Sequence, residues 1–242
     1  MPLTEATPTT PRAQALYGVK RFERESVMTI PARQIILDAQ VALNDPDGTR
    51  WPADELVRHL NRAQKEVCAA LPNAAAVIAV MPLVAGSVQR LPDAAASLID
   101  VPANASGEPI SKVNLLLLDA VDPNWSKRTP VQVIRHVMHD LRTPKMFRVY
   151  PPAANGAAVQ IEYAAELADI AVPTGKTHES VQGDVALGAS HGSALLALVL
   201  HYAYAKDAEY GGNAALSMAY LNRAQSLMGL VNQSSAAVAP TS

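Results

Sequence analysis

Charged side chains are scarce in this sequence of 242 residues, at 17%, and neither sign dominates: 20 Lys and Arg face 22 Asp and Glu, for a formal net charge of -2. Wrapping nucleic acid takes a concentrated stripe of Lys and Arg, and neither that stripe nor an acidic tail is visible. The single cysteine, Cys68, excludes an intrachain disulfide. It lies in a helical apolar pattern with Lys65 one turn away, so it reads as a small buried hydrophobe rather than a reactive thiol. No apolar run approaches the roughly 20 residues of a membrane span. The opening Met1-Pro2-Leu3-Thr4-Glu5 has no basic region followed by an apolar one, so no signal peptide is read. The chain is therefore expected to be made and used in the cytoplasm of the cell that produces it.

Hydrophobic residues reach 49%, enough for one large folded domain or two small ones. With so few charges, much of the surface is neutral, which suits burial in subunit contacts.

Residues 1–28 begin Pro- and Thr-rich and continue with mixed charge, with too few apolar residues for a core. They read as an extended arm. Tyr17, Lys20, Arg21, Phe22 and Arg24 are its candidate interface residues, because aromatics anchor contacts at low entropic cost. Ile35, Ile36, Ala39 and Leu43 then recur at helical spacing, with Pro31 preset for the first turn and Asn44–Gly48 as the terminating turn. A second helix follows from Trp51-Pro52, with Asp54 and Glu55 at its positive end and Leu56, Leu60, Ala63 and Val67 on one face.

From residue 75 the period shortens to that of strands. Segments 76–81 and 87–91 read as a strand pair, and 97–101 as a third strand. A short helix is expected between Val113 and Val121. Strands follow over 131–138, 146–150 and 158–163, roughly six in all, antiparallel because their links are short. Residues 166–188 read as a loop. Helix resumes near Ser190, and a last helix starts at Asp207 and ends at Gly229. The fold class is α+β: a helical bundle of the N- and C-terminal helices (29–73 and 185–229) with an antiparallel β domain inserted (74–184) and a flexible tail (230–242).

Four strings carry a hint of chemistry. Gly188-Ala189-Ser190-His191-Gly192 matches the nucleophile elbow of serine hydrolases, which needs a buried parallel strand before the Ser. Gly183 and Asp184 break that strand, and no Asp or Glu lies between Ser190 and His201. Ser190 reads instead as a helix N-cap. Pro173-Thr174-Gly175-Lys176-Thr177 resembles the end of a phosphate-binding loop, but Ile170 stands where the first glycine belongs. His136 and His139, beside Asp140, are three apart on a strand and point to opposite faces, so they do not converge on a metal. Glu162, Glu166 and Asp169 have no fixed catalytic separation. No catalytic residue, cofactor or metal ligand is assigned. The alternatives to an assembly protein are a small serine hydrolase using Ser190 and a nucleic-acid-binding module.

Four strings in order carry a family resemblance: Arg50-Trp51-Pro52 with Glu55-Leu56, running into Leu60-Asn61 and Ala63-Gln64; Leu118-Asp119 before Asp122-Pro123-Asn124-Trp125; Pro144 and Phe147 before Val149-Tyr150-Pro151-Pro152; and Ala203-Tyr204 before Lys206-Asp207-Ala208-Glu209-Tyr210. Over roughly residues 31–229 the chain resembles the head-to-tail adaptors of short-tailed bacteriophages, the kind like tail tubular protein A. The resemblance implies a virion structural protein without an active site. It implies a homo-oligomeric ring of roughly twelve copies, fixed between the portal protein and the tail nozzle protein, with tail fibres or spikes as further partners. Double-stranded DNA passes its lumen without sequence recognition, and no membrane is involved.

Overall fold

A computed structural model describes residues 20–21, 29–206, 209 and 211–238. Within these residues the fold is α+β, with five α-helices and three small sheets. In chain order the elements are β1 (Lys20–Arg21), β2 (Thr29–Pro31), α1 (Ala32–Ala42), α2 (Ala53–Ala70), β3 (Ala76–Pro82), β4 (Gly86–Arg90), β5 (Ala95–Asn104) and β6 (Ser111–Lys112). They continue with α3 (Leu115–Val121), β7 (His136–His139), β8 (Met146–Ala153), β9 (Ala158–Ala165), β10 (Asp184–Gly188), α4 (Gly192–Lys206) and α5 (Asn213–Val238).

Two hydrophobic clusters form. The first joins Ile35, Ile36 and Ala39 of α1 and Leu56, Leu60 and Val67 of α2 to Leu195, Leu198 and Tyr202 of α4. These α1 and α2 positions fall on the helical stripes the sequence displays. Trp51 seals the end of this cluster: it is buried, its indole N–H donates to the Ala203 carbonyl at 3.1 Å, and its edge meets Tyr204. Lys206 ties the same end together through Glu55 at 2.6 Å.

The second cluster lies between two four-stranded sheets, ordered β1-β3-β9-β5 and β4-β8-β7-β6. Val77, Ala79 and Met81 of β3 alternate with more exposed neighbours, as do Phe147 and Val149 of β8. The expected pairing of segments 76–81 and 87–91 does not occur. β3 and β4 belong to different sheets, because the chain between them crosses over instead of forming a hairpin. The buried Gln89 amide holds that crossover, accepting from Val84 N at 2.9 Å and donating to Val84 O at 2.8 Å.

Antiparallel pairing holds throughout the described ladders except at β6–β7, which is parallel. The long connection through α3 gives the chain room to return in the same direction. Of the strand expected over 131–138, only β7 and an isolated bridge from Val131 to Ala153 form. β8 runs through Pro151 and Pro152 rather than ending at Tyr150. Proline lacks a donor but not an acceptor, and Pro152 O accepts from Val131 N at 2.9 Å.

The stretch 166–188 is not featureless. Its last five residues form β10, antiparallel to β2. Three buried amides of α1 and α2 hold the stretch to the helices. Asn61 grips Ile170 both ways, accepting from its N–H at 2.8 Å and donating to its carbonyl at 2.9 Å. Gln40 donates to Lys176 O at 3.0 Å and accepts from His178 N at 3.1 Å. Gln64 accepts from Ala186 N at 2.8 Å.

The C-terminal elements start later than expected. α4 begins at Gly192, after a 3-10 turn over Ala189–His191, and α5 begins at Asn213. The expected cap Asp207 lies outside the described residues. α5 continues past Gly229 to Val238. One helical glycine costs only about 1 kcal/mol, and the next residue incompatible with a helix is Pro240.

Candidate interaction surfaces

The four chemical strings are placed as follows. The strand doubted before Ser190 exists as β10, but it pairs antiparallel in a two-stranded sheet and is not the buried parallel strand of a nucleophile elbow. Ser190 is exposed, and its hydroxyl contacts the Nδ1 of the adjacent His191 at 3.1 Å. No third group completes a relay in the described contacts. The Pro173–Thr177 loop lies against the α1–α2 turn, where Lys176 O accepts from Ala53 N at 2.8 Å. Its Lys176 carbonyl is committed to the fold, and a three-residue 3-10 turn, His178–Ser180, follows where a phosphate-binding loop leads into a helix.

His136 stacks on Tyr150 with ring centres 5.7 Å apart and contacts Ser111 Oγ at 2.6 Å. Asp140 forms a bidentate pair with Arg142 that holds its carboxyl down to about 2. Among the described residues no cluster of three or more His, Cys, Asp or Glu converges on a metal-sized site. Glu166 pairs with Lys145 and Asp169 with Lys65. Burial pushes the Cys68 thiol up, away from a reactive thiolate.

A polar cluster does exist on the helical face. His59 Nε2 lies 3.7 Å from Glu55, the His59 ring is 5.5 Å from Tyr202, and the Arg62 guanidinium sits 4.3 Å over the Tyr202 ring. Burial holds His59 below its ordinary value although Glu55 pulls it upward, with Lys206 and Arg62 adding to the depression. The unfolded chain therefore takes up this proton first as pH falls. Folding stability is lost as pH drops below about 6.5, the unfolded value, toward the folded one. His59→Gln is expected to flatten this loss, seen as a smaller drop in melting temperature than the parent chain shows between about pH 7 and about pH 5. His139, also lowered by burial, adds acid sensitivity of the same sign.

Of the candidate interface residues, Tyr17, Phe22 and Arg24 lie outside the described residues. Lys20 and Arg21 form β1, whose backbone pairs antiparallel with β3, Lys20 opposite Val80 and Arg21 opposite Ala79. The sequence reading missed a second surface, α3. Its four consecutive leucines lie in the short helix expected between Val113 and Val121, where Leu115, Leu118 and Val121 share a face, and none is buried. Leu116, Leu117 and Val121 are 77%, 62% and 76% exposed. The helix is nonetheless firmly held. Asn114 caps its start by accepting from Leu116 N at 2.8 Å, and Trp125 donates to Asp119 at 2.7 Å from beneath. Leu-Leu-Leu-Leu fills every face of a short helix, so unless that helix is enclosed on all sides some of the four face outward. Among the described residues no helix is long and apolar enough to cross a membrane.

The described residues form an α+β scaffold that holds Leu116, Leu117 and Val121 of α3 outward. A family model for the SU10 adaptor protein matches residues 30–241. The chain belongs to that family, a family of structural phage proteins that act as head–tail adaptors. No individual curated protein matches it.

Proposed function

We propose that this chain is the subunit of a ring, of roughly twelve copies, that joins the portal protein to the tail nozzle protein in the virion. Double-stranded DNA leaves through its lumen. The family match over residues 30–241 carries the reading. The charge balance supports it: a channel that must release DNA is served by few cations, since each phosphate contact adds salt-sensitive affinity. In this reading the helical segments 29–73 and 185–229 form a bundle against the portal and neighbouring subunits, the inserted β domain 74–184 reaches toward the nozzle, and fibres or spikes dock outside. Lys20, Arg21, Tyr17, Phe22 and Arg24 belong to an arm that engages another subunit. The protein is made in the host cytoplasm.

Native mass spectrometry of the purified chain, alone and with candidate portal rings, tests this. The expected result is a preformed ring, or a monomer that becomes a multimer on the portal. A stable monomer or dimer that ignores every portal overturns the reading.

A further inference from the structure

Ion pairs such as Arg58–Asp54, Lys65–Asp169, Lys112–Asp100 and Arg128–Asp122 answer many charges within the chain. Two sets of charges beside exposed apolar side chains have no ion-pair partner among the described residues. The first lies on the outer face of the β4-β8-β7-β6 sheet. Val88 stands opposite Arg148 and Arg90 opposite Met146, while Met138 of β7 meets Arg148 from the other side. Directly opposed residues share a face. Val88, Met138, Met146 and Phe147, with Leu115 of α3, line a groove of about 320 Å³, and Arg148 stands at its wall. Val88 and Met146 are exposed, and Leu116 and Leu117 follow Leu115 outward. Asp140 also lines the groove, but its carboxylate is held by Arg142. From Lys127 to Arg148 six Lys and Arg face one acid, Asp140, so this side of the β half is basic.

The second set lies at the end of α1. Val41 is 65% exposed there, and Asp38, three residues before it, is its neighbour on the helix surface. Asp47 stands exposed in the turn that follows. Asp38 accepts from the Gln34 amide at 2.9 Å, which leaves its charge in place. Arg50, the next cation along the chain, sits over the Trp51 ring at 4.9 Å. The other side of α1 packs on α2, α4 and β10 of its own chain, so the Val41 side is free to meet another surface.

We propose that in the assembled ring the α1 end of one copy docks on this groove of the next, with Val41 on Val88 and Met146 and with Asp38 and Asp47 against Arg90 and Arg148. This rests on the ring reading above. Charge complementarity selects the occupant: each patch carries one sign around an apolar centre, so each repels a copy of itself and attracts the other. Knob and groove are different patches of one chain. Such a contact is heterologous and closes into a ring, whereas a self-complementary patch gives a two-fold dimer. The apolar floor between the two arginines also favours a protein partner over a phosphate backbone, which offers nothing to cover Val88 and Met146.

The test uses two full-length variants, one with Arg90→Glu and Arg148→Glu, the other with Asp38→Arg and Asp47→Arg. All of these side chains are exposed, so both variants are expected to keep the parent melting temperature. Assembly is followed by native mass spectrometry under the condition that assembles the parent chain. Each variant alone sets like charges against each other at every contact and is expected to need at least about tenfold more protein for half-assembly. An equimolar mixture restores opposite charges at every contact and is expected to assemble as the parent does, with the two chains in equal numbers. Asp38→Asn with Asp47→Asn removes charge without reversing it and gives a smaller shift in the same direction. Variants that each assemble alone as the parent does, or a mixture that stays unassembled, overturn the inference and leave the ring reading standing. So does salt-sensitive DNA binding that Arg90→Glu with Arg148→Glu abolishes while assembly persists. Absence of any assembly by the parent chain overturns the ring reading and this inference with it.

Discussion

Replacing Asn61 by Leu is expected to lower the stability of the fold by about 3–5 kcal/mol, read as an earlier midpoint in urea unfolding. Asn61 is buried in α2, and its amide serves both backbone groups of Ile170, accepting at 2.8 Å and donating at 2.9 Å. Leucine nearly fills the same volume and admits no water, so the Ile170 N–H and C=O remain buried without partners. Each such group costs about 1–3 kcal/mol. The Gln64 amide, which donates to Asn61 Oδ1 at 3.5 Å, loses a neighbour as well. Asn61→Ala is expected to cost less, because the space it opens holds a bridging water. The order Leu worse than Ala is the signature of unsatisfied polar groups; a cavity effect gives the reverse order. Asn104 offers a parallel case in the β half: its amide grips Ile134 in the same two-way fashion, both bonds at 2.8 Å. Asn104→Leu should show the same ordering against Asn104→Ala.

These amides mark where the sequence was legible and where it was not. Periodicity exposes any side chain whose burial repeats along an element. Leu56, Leu60, Ala63 and Val67 announce α2 because burial follows its turns, and Val159, Ile161 and Tyr163 announce β9 because burial alternates. Asn61 and Gln64 lie on that same inner side of α2, yet as polar letters they read as surface. Their partners are backbone groups 109 and 122 residues away. No local pattern encodes that distance, so the 166–188 stretch read as a loop although three amides hold it. The β3–β4 crossover was hidden for the same reason: the Gln89 side chain substitutes for a ladder, and a side chain that mimics a backbone leaves no period. Composition and helical stripes sufficed for the α+β class, while sheet membership required contacts that only the folded chain displays.

The functional surfaces divide in the same way. The adaptor resemblance came from four ordered strings, and the folded chain gives several of them a structural task. Trp51 closes the helical core through Ala203, and Trp125 props α3 through Asp119 while its ring edge meets Tyr150. Trp51 and Trp125 thus have a task within the fold itself, and both are buried. The exposed leucines of α3 lie between two of these propping residues and belong to none of the four strings, Leu118 excepted. The tasks these strings show are scaffold tasks, whereas the outward leucines of α3 stand out by exposure alone.

Gly48→Ala is the second substitution expected to be severe, at about 3–5 kcal/mol. The turn after α1 was legible from Asn44, Pro46 and Gly48, but the reason for this glycine was not. Its φ is +60°, a conformation that costs an L-residue about 1–2 kcal/mol. A Cβ there would also lie 2.1 Å from the Lys176 carbonyl oxygen and 3.0 Å from Gln40 Nε2. That carbonyl already accepts from Ala53 N at the start of α2 and from Gln40 in α1. One methyl group therefore pushes out the acceptor on which two helices and the 166–188 segment meet. Gly156→Ala separates strain from collision: its φ is +85°, yet nothing lies within 4 Å of the added carbon. It should lose only the conformational part, and Lys176→Ala, which keeps the carbonyl, should stay within about 0.5 kcal/mol of the parent. Urea midpoints for the three variants, with limited proteolysis of the 166–188 segment, give the comparison. If Gly48→Ala costs no more than Gly156→Ala, the Lys176 carbonyl is not the junction that holds this segment to the helices. If only Gly48→Ala opens the segment to protease, that junction is the latch.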